Sequence, residues 1–276
     1  MSKLSTINNA NSVRPAFEEL AGIFSGWRVW ITLAWDDIRL RYRRSSLGPF
    51  WITLSMAIKI YFMGFLYGHL FKVDTSQYFP FLASGIIVWT TVGALINDSS
   101  LVFIESETYL RNMKISYLHL ILRVIVRNII IFAHNILAYV PVIIYFASGL
   151  NNFSIFNLLL FLPNLIIVLL MFVFITSIIA IIGTRFRDMQ LIIDSVLQVV
   201  FFMTPIMWLP SLLPDRYQWL VMVNPFYHIV NLIRAPLLGQ QVELTSYAVV
   251  LIFSFFSFIV FYYLINRCKY RIIFWL

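Results

Sequence analysis

Residues 155–183 read IFNLLLFLPNLIIVLLMFVFITSIIAIIG, a run without one charged side chain. A bilayer core of roughly 30 Å is crossed by about 20 helical residues, so this run is long enough to span it. Backbone amides in lipid must be paired within the segment, and the run lacks the polar–apolar alternation of a barrel strand. The stretch therefore predicts a transmembrane helix and an all-α integral membrane protein.

The composition of the whole chain agrees with a membrane location. Of its 276 residues, 61% are hydrophobic and 12% are charged, against about 25% charged residues in soluble domains. Comparable apolar runs recur along the chain and predict six transmembrane helices. These spans cover about 50–71, 79–104, 121–147, 155–183, 189–209 and 245–266. Residues 1–26 are polar and lack the layout of a signal peptide, so we expect a cytoplasmic N-terminal segment followed by a membrane domain over 27–276.

The basic residues set the expected orientation. The formal net charge is +8, and most arginines and lysines lie at the ends of apolar runs. There they fix topology and contact anionic headgroups, so no nucleic-acid partner is expected. If the N-terminus is inside, the lysines and arginines expected on the opposite side of the membrane are only Lys72, Arg216 and Arg234. The distribution predicts that both termini are cytoplasmic.

An amphipathic helix is predicted over 27–44, ahead of the first span. Its apolar side chains recur at helical spacing: Trp27, Trp30, Ile31, Ala34, Trp35 and Ile38. Tryptophans suit the headgroup boundary, so the helix is expected to lie flat on the cytoplasmic leaflet. The alternative is an amphipathic helix packed on protein. Asp36 and Asp37 are expected on its solvated face.

The stretch 210–240 is apolar, but four prolines and two arginines interrupt it. Counted as a span, it would place the basic C-terminal end outside. Two short helices that dip into the membrane and return, hinged near Asn224 and Pro225, avoid this problem. We therefore expect a re-entrant outer hairpin before the last span. An ordinary outer loop with two interfacial helices is the alternative.

The densest polar segment is RYRRSSLGPFW, residues 41–51. Arg41, Arg43 and Arg44 lie where the surface helix meets the first span, and guanidinium groups bind phosphate bidentately. Gly48 is expected to turn the chain, because glycine interrupts helices. The cluster predicts either a binding site for the headgroup of a lipid-linked phosphate or a topological anchor.

Lys59 lies midway along the first span, where a charge is usually functional. It is expected to face a pore, to pair with a carboxylate such as Asp98 or Asp194, or to extend toward the interface. Arg123 and Arg127 share a helical face at the start of the third span and are expected to be cytoplasmic anchors.

Little in the sequence points to an enzyme. The chain has no GxxxxGK[ST] phosphate loop, so ATP binding in that mode is not expected. Its four histidines are scattered, and Cys268 is the single cysteine, so no metal site is predicted. No catalytic residue and no cofactor is predicted for this chain.

Five segments in order carry a family resemblance. They are RYRRSSLGPFW at 41–51, RFRDM at 185–189, TPIMW at 204–208, NPFYHIVNLIRAPLLG at 224–239 and the C-terminal YRIIFWL. Together they resemble the ABC type-2 polysaccharide-export permeases, which include Wzm-like O-antigen permeases and the capsule and teichoic-acid permeases. The resemblance covers residues 27–276.

This resemblance implies the permease subunit of an ATP-driven exporter. The subunit would move polyprenyl-diphosphate-linked polysaccharide, with O-antigen as the first expectation, across the inner membrane to the periplasm. It would form a homodimer with two separate ATP-binding cassette subunits, which would carry ATP and Mg²⁺. Capsule or teichoic-acid export is the alternative, as is a membrane-embedded glycosyltransferase or acyltransferase of the same pathway.

The resemblance also implies site residues. The channel candidates lie in the early spans: Lys59, Tyr61, Phe65 and Trp89. A cytoplasmic helix after the second span would dock the ATPase, with Glu107, Arg111 and Lys114 as coupling candidates, although the proline usual at its end is missing. Outer gate helices would contain Asn224, Pro225 and Arg234.

Overall fold

The computed structural model describes residues 15–23, 26–113, 115–146 and 154–276, and these residues form helices and turns with no strand among them. The helices in chain order are α1 (Pro15–Gly22), α2 (Trp27–Arg41), α3 (Phe50–Phe71), α4 (Thr75–Glu105), α5 (Glu107–Asn112), α6 (Tyr117–Phe146), α7 (Ile155–Leu159), α8 (Phe161–Arg185), α9 (Met189–Met203), α10 (Gln218–Val223), α11 (Pro225–Leu237), α12 (Leu244–Cys268) and α13 (Ile272–Trp275). Short 3₁₀ turns cover Pro210–Leu212, Asp215–Tyr217 and Lys269–Arg271.

Five helical stretches in the described part of the chain are long and apolar enough to cross a bilayer: α3, α4, α6, α7 with α8, and α12 with its C-terminal extension. The prediction of an all-α membrane protein is confirmed. In α4, 67% of the most apolar window is buried inside the protein, against 22% in α3 and in α12. The second span is therefore the central helix, and α3 and α12 present most of their apolar surface outward.

The sixth predicted run, 189–209, forms a shorter helix than its hydropathy suggests. Helix α9 ends at Met203 after 15 residues, which is about 22 Å at 1.5 Å per residue. Pro205 causes the break, because proline has no N–H and disfavours helical geometry in the residue before it. Thr204 is accordingly extended, with ψ 133°.

The backbone after this break is buried, so its free carbonyls need donors. The hydroxyl of Tyr78 donates to the carbonyl of Met207 at 2.5 Å, and Nη1 of Arg234 donates to the carbonyl of Pro205 at 2.8 Å. Irregular backbone at membrane depth is tolerated where protein covers and pairs it. Side chains of α4 and α11 therefore stabilise the broken end of α9.

The surface helix predicted over 27–44 begins at Trp27 and ends at Arg41. Ala34 and Ile38 are buried where α2 packs against α6, whereas Trp27 and Trp35 are half exposed. The helix thus contacts the protein through Ala34 and Ile38 and leaves tryptophans at the surface, as a helix in the headgroup layer would.

Two short helices occupy the proline-rich stretch before the last span. Only Asn224 separates α10 from α11, and its side-chain oxygen accepts a hydrogen bond from the N–H of Phe226 at 2.9 Å. Its amide donates to the hydroxyl of Thr204 at 2.9 Å. Most of α11 is buried against α4, α8 and α12, so this second helix belongs to the protein core.

The first and last described parts of the chain meet at one end of the molecule. The N–H of Ala16 donates to the side chain of Asn266 at 3.0 Å. Glu19, only 5% exposed, pairs with Lys269 at 3.1 Å and accepts from the N–H of Leu118 at 3.2 Å. Part of the polar segment 1–26 is thus a docked helix, and residues 1–14, 24–25, 114 and 147–153 lie outside the described residues.

Candidate functional site

A large charged pocket lies next to the start of α3, with Pro49 among its lining residues. Its volume is about 770 Å³, and α2, the turn after it, α5 and α6 form its walls. Its charged lining residues are Asp36, Asp37, Arg39, Arg43 and Arg123, joined by Tyr42, Tyr109, Leu33, Leu40 and Pro49. We call this the arginine pocket. Three guanidinium groups against two carboxylates give it a net positive lining.

The structure divides the predicted arginine cluster. Arg41, Arg43 and Arg44 are all exposed, but only Arg43 of the three lines the arginine pocket. Arg39 and Arg123 take their places. The sequence signal for Arg39 is its spacing of four from Arg43, which brings side chains to one side of a helical turn. Gly48 turns the chain into α3 as expected, with a left-handed φ of 56°.

Asp37 joins the surface helix to two arginines of α6. Arg123 binds it bidentately, with Nε–Oδ2 at 2.8 Å and Nη2–Oδ1 at 2.5 Å, and Arg127 reaches it at 3.2 Å. The side chains of Arg123 and Asp37 are only 15% and 13% exposed. The expectation of a solvated Asp37 is therefore wrong, because the carboxylate lies between α2 and α6.

Arg127 extends this ion-pair network to α4. Its Nη2 lies 2.8 Å from Asp98, whose carboxylate also accepts from the amide of Asn128 at 2.9 Å. Asp98 is therefore taken by groups of α6 and does not pair with Lys59. Periodicity placed Arg123 and Arg127 on one face, but which acids they meet depends on how α2, α4 and α6 pack.

Helix α5 has an exposed side and a side that faces the arginine pocket. On the exposed side, Arg111 and Glu107 form an i,i+4 pair at 2.6 Å. On the other side, the ring of Tyr109 lies 5.7 Å from the guanidinium carbon of Arg123, and the hydroxyl of Ser106 accepts from Nη1 of Arg123 at 3.5 Å. Lys114, the third coupling candidate, lies outside the described residues.

A second cavity, of about 440 Å³, lies between α3, α4 and α9. We call it the polar groove. Its polar and aromatic lining residues are Lys59, Trp89, Thr90, Asn97, Gln198, Phe201 and Phe202. Lys59 is exposed and is its only charged lining residue. The side-chain oxygen of Asn97 is buried and has no hydrogen-bond partner among the described residues. The groove therefore offers an exposed ammonium group and the amide side chains of Asn97 and Gln198.

The four channel candidates separate in the structure. Lys59 and Trp89 line the polar groove, and Trp89 packs against Phe201 with ring centroids 5.8 Å apart. Tyr61 and Phe65 are exposed on other faces of α3 and are not among its lining residues. Sequence reasoning missed Asn97 and Gln198, since single amides in apolar helices give no periodic signal.

The three outer-gate candidates meet at the broken end of α9. Asn224 binds Thr204, and Pro225 opens α11. Arg234 is 2% exposed, donates to the carbonyl of Pro205 and stacks over the ring of Phe81 at 4.1 Å. The sequence analysis counted Arg234 among the few basic residues on the outer side of the membrane, and the structure shows that its side chain is buried within the protein.

The arrangement can bind an anionic group and a polar one. It provides a cationic pocket at the foot of α3 and a polar groove farther along the same helix. Among the described residues, no three His, Cys, Asp or Glu side chains group as metal ligands.

Comparisons with known proteins agree with this picture. The model of a family described as ABC-2 type transporter matches residues 28–238. Two Klebsiella pneumoniae proteins named O-antigen export system permease protein RfbA are similar to the chain. One is 22% identical over 236 residues, covering 85% of this chain and 90% of that protein. The other is 22% identical over 195 residues, covering 70% and 74%.

A Myxococcus xanthus protein with the same name is 25% identical over 191 residues, which is 67% of this chain and 70% of that protein. The family match covers most of the chain and includes the arginine pocket, the polar groove and helices α10 and α11. The resemblance carried by the five segments is confirmed: the chain belongs to the ABC-2 type transporter family.

Proposed function

We propose that this chain is the permease subunit of an ATP-driven exporter that moves polyprenyl-diphosphate-linked polysaccharide, with O-antigen as the cargo, from the cytoplasmic face of the inner membrane to the periplasm. The observation that carries the proposal is the arginine pocket at the foot of α3, with the polar groove along the same helix. The similar proteins from Klebsiella pneumoniae and Myxococcus xanthus are named O-antigen export system permeases, which supports O-antigen as the cargo.

The arginine pocket suits the headgroup of such a substrate. A lipid diphosphate is a compact multiple anion, and guanidinium groups bind phosphate oxygens in pairs. Arg39 and Arg43 make no ion pair in the described residues, so they are free to bind it. Leu33, Leu40 and Pro49 supply apolar wall for the first carbons of the polyprenyl tail.

The polar groove suits the glycan. Apolar faces of sugars pack on aromatic rings, and Trp89 and Phe201 supply such rings beside it. The amide side chains of Asn97 and Gln198 line the groove and supply hydrogen-bonding groups for sugar hydroxyls. Lys59 keeps the groove hydrated and attracts anionic sugar substituents. Because the groove is open on one side, a second copy of the chain would complete the path.

The proposed assembly is a homodimer with two ATP-binding cassette subunits. Helix α5 has an exposed charged side for docking an ATPase, and membrane lipids would cover the outward apolar surfaces of α3 and α12. Helix α9 is proposed as the sixth crossing and α10–α11 as the re-entrant outer hairpin. The contact between α1 and the end of α12 supports an even number of crossings, with both chain ends on one side. The basic residues near both ends support the cytoplasmic side.

Substituting the pocket arginines tests this function. We expect Arg43→Gln and Arg39→Gln to reduce export with normal insertion and dimerisation, because each removes a charge-assisted contact of about 1.5–3 kcal/mol, roughly a tenfold loss of affinity. Arg41→Gln is the matched control, since that side chain lies outside the pocket lining. Surface glycan and lipid-linked glycan retained in the cytoplasmic leaflet are measured in cells that lack the native copy.

Lysine replacements separate headgroup binding from topological anchoring. Lysine satisfies the positive-inside rule but cannot form the bidentate fork. If Arg39→Lys with Arg43→Lys exports glycan at the wild-type rate, the arginines are anchors and headgroup binding in this pocket is wrong. The glycan that accumulates when the gene is deleted distinguishes O-antigen from capsule and teichoic acid. Accumulation of an unmodified glycan precursor would indicate the transferase alternative.

A further inference from the structure

Arg123 stands where three elements of the proposed machinery meet. Its guanidinium lines the arginine pocket, binds Asp37 of the surface helix at 2.8 and 2.5 Å, and lies against Tyr109 of α5. Within the described residues, the other two pocket arginines form no hydrogen bond, ion pair or cation–π contact with α5. A ligand that attracts this guanidinium therefore acts on α2 and α5 together.

We propose that Arg123 exchanges Asp37 for the diphosphate of the bound lipid and thereby signals occupancy of the arginine pocket to α5, raising the ATPase rate of the docked subunits. This inference rests on the proposed function and adds a regulatory step to its substrate site. A diphosphate carries more charge than a carboxylate and presents more acceptor oxygens, so it competes well for a bidentate guanidinium.

The surrounding charges make the exchange possible. When Arg123 turns toward the ligand, Asp37 keeps Arg127 as a partner at 3.2 Å, and Arg127 remains tied to Asp98 at 2.8 Å. Removing one partner of a buried pair is costly because a charge is left unpaired. Here no carboxylate is left alone, so the exchange avoids most of that cost.

Helix α5 is placed to respond when the guanidinium of Arg123 moves. It has six residues, and it is held to the protein by Leu110, which is buried, and by the contacts of Ser106 and Tyr109 with Arg123. Its other side carries the exposed Glu107–Arg111 pair. The helix also packs against α4 and α13. Because Ser106 and Tyr109 join it to α6 through Arg123, displacement of this guanidinium loosens that connection and changes the surface offered to the ATPase.

The experiment uses the full permease with its ATPase subunits in liposomes, with undecaprenyl diphosphate as the probe. Probe binding and ATP hydrolysis are measured separately, and each variant is reported as the ratio of its hydrolysis rates with and without probe. For the wild type we expect saturable binding that depends on Arg43 and a ratio above one.

Two substitutions interrupt the proposed signal from the arginine pocket through Arg123 to α5, which we call the relay, at different points. Asp37→Asn frees Arg123 and is expected to raise hydrolysis without probe, bringing the ratio toward one. Tyr109→Leu removes the ring and is expected to lower the ratio while the probe still binds; Tyr109→Phe keeps the ring face and is expected to keep the ratio. Asp194→Asn makes the same carboxylate-to-amide change on an exposed residue of α9 and is expected to leave the ratio unchanged.

The outcomes separate this inference from the proposed function. If the wild type binds no probe, or binds it independently of Arg43, the proposed substrate site is wrong and the relay falls with it. If binding depends on Arg43 but Tyr109→Leu and Asp37→Asn keep the wild-type ratio, only the relay is wrong. Should Asp37→Asn fail to fold, Tyr109→Leu against Tyr109→Phe decides alone.

Discussion

Arg234 is a buried cation whose partners are a carbonyl and an aromatic ring. Within the described residues it forms no ion pair; it donates to Pro205 and lies over Phe81. Burial of an unpaired charge is expensive, so the contacts must offset that cost. The carbonyl it binds is one that the proline break leaves without a helical donor. The charge therefore stabilises the end of α9, as a capping group would.

Replacing Arg234 tests this role. We expect Arg234→Met to lower the melting temperature of the purified protein in detergent and to reduce export, since the unpaired Pro205 carbonyl alone costs about 1–3 kcal/mol. Arg216→Met is the control, because Arg216 is exposed and its guanidinium lies over the ring of the neighbouring Tyr217. A variant as stable as the wild type would show that Arg234 does not stabilise the broken helix.

The helices themselves were largely predictable from the sequence. Apolar runs locate α3, α4, α6, α8 and α12, because lipid requires about 20 apolar residues in each crossing helix. The early end of α9 was not predicted, since hydropathy continues past Pro205 while the hydrogen-bond ladder does not. The predicted end at 209 followed the apolar run and did not allow for the helix-breaking effect of Pro205.

The candidate sites were predictable only in part. Charge density located the turn that contains Arg43, but Arg123 and Asp37 came together through packing of α2 on α6. They are far apart in sequence, so no local pattern could join them. The possible pair of Lys59 with Asp98 failed for the same reason. The sequence identifies isolated charges in apolar helices, but their partners depend on tertiary contacts, and Asp98 is bound by Arg127 and Asn128.

Contact between α4 and α8 depends on one glycine. A Cβ on Gly183 would lie 2.3 Å from the carbonyl oxygen of Ser100, a backbone atom that cannot move aside. Small residues at such crossings let helices approach closely in membranes. We expect Gly183→Ala to separate the central helix from α8, with a loss of about 1–3 kcal/mol from overpacking.

Thermal unfolding in detergent measures this effect. Gly93→Ala is the matched control, because a Cβ there meets nothing within 4 Å and alanine favours the helix. Gly183→Ala is expected to unfold at a lower temperature than both Gly93→Ala and the wild type. Equal melting temperatures for the two variants would mean that the α4–α8 contact tolerates a wider separation.

On the scale of the whole molecule, the number of crossings depends on how the ends are arranged. Five long helices alone would put the two ends on opposite sides of the membrane. Yet α1 bonds the C-terminal end of α12 through Ala16–Asn266 and Glu19–Lys269. This contact supports the proposal of an even number of crossings, with α9 as the sixth and the buried backbone after it continuing at membrane depth.

Cysteine labelling tests that topology directly. In a Cys268→Ser background, single cysteines at Thr75 and Arg216 are expected to react with a membrane-impermeant maleimide from the periplasmic side. Cysteines at Asn112 and Arg187 are expected to react only after the membrane is opened. Arg216 and Arg187 are decisive because they flank α9, are exposed, and must lie on opposite sides if that helix crosses.

Whether α9 crosses the membrane depends on the chain that follows it. At about 22 Å, α9 is shorter than a bilayer core of about 30 Å, so it can cross only if the next residues remain at membrane depth. The buried segment at 204–206 and the packed α11 provide that continuation. If a cysteine at Arg216 reacts from the cytoplasmic side alone, α9 does not cross. The outer hairpin would then be wrong, and the contact between α1 and α12 would need another explanation.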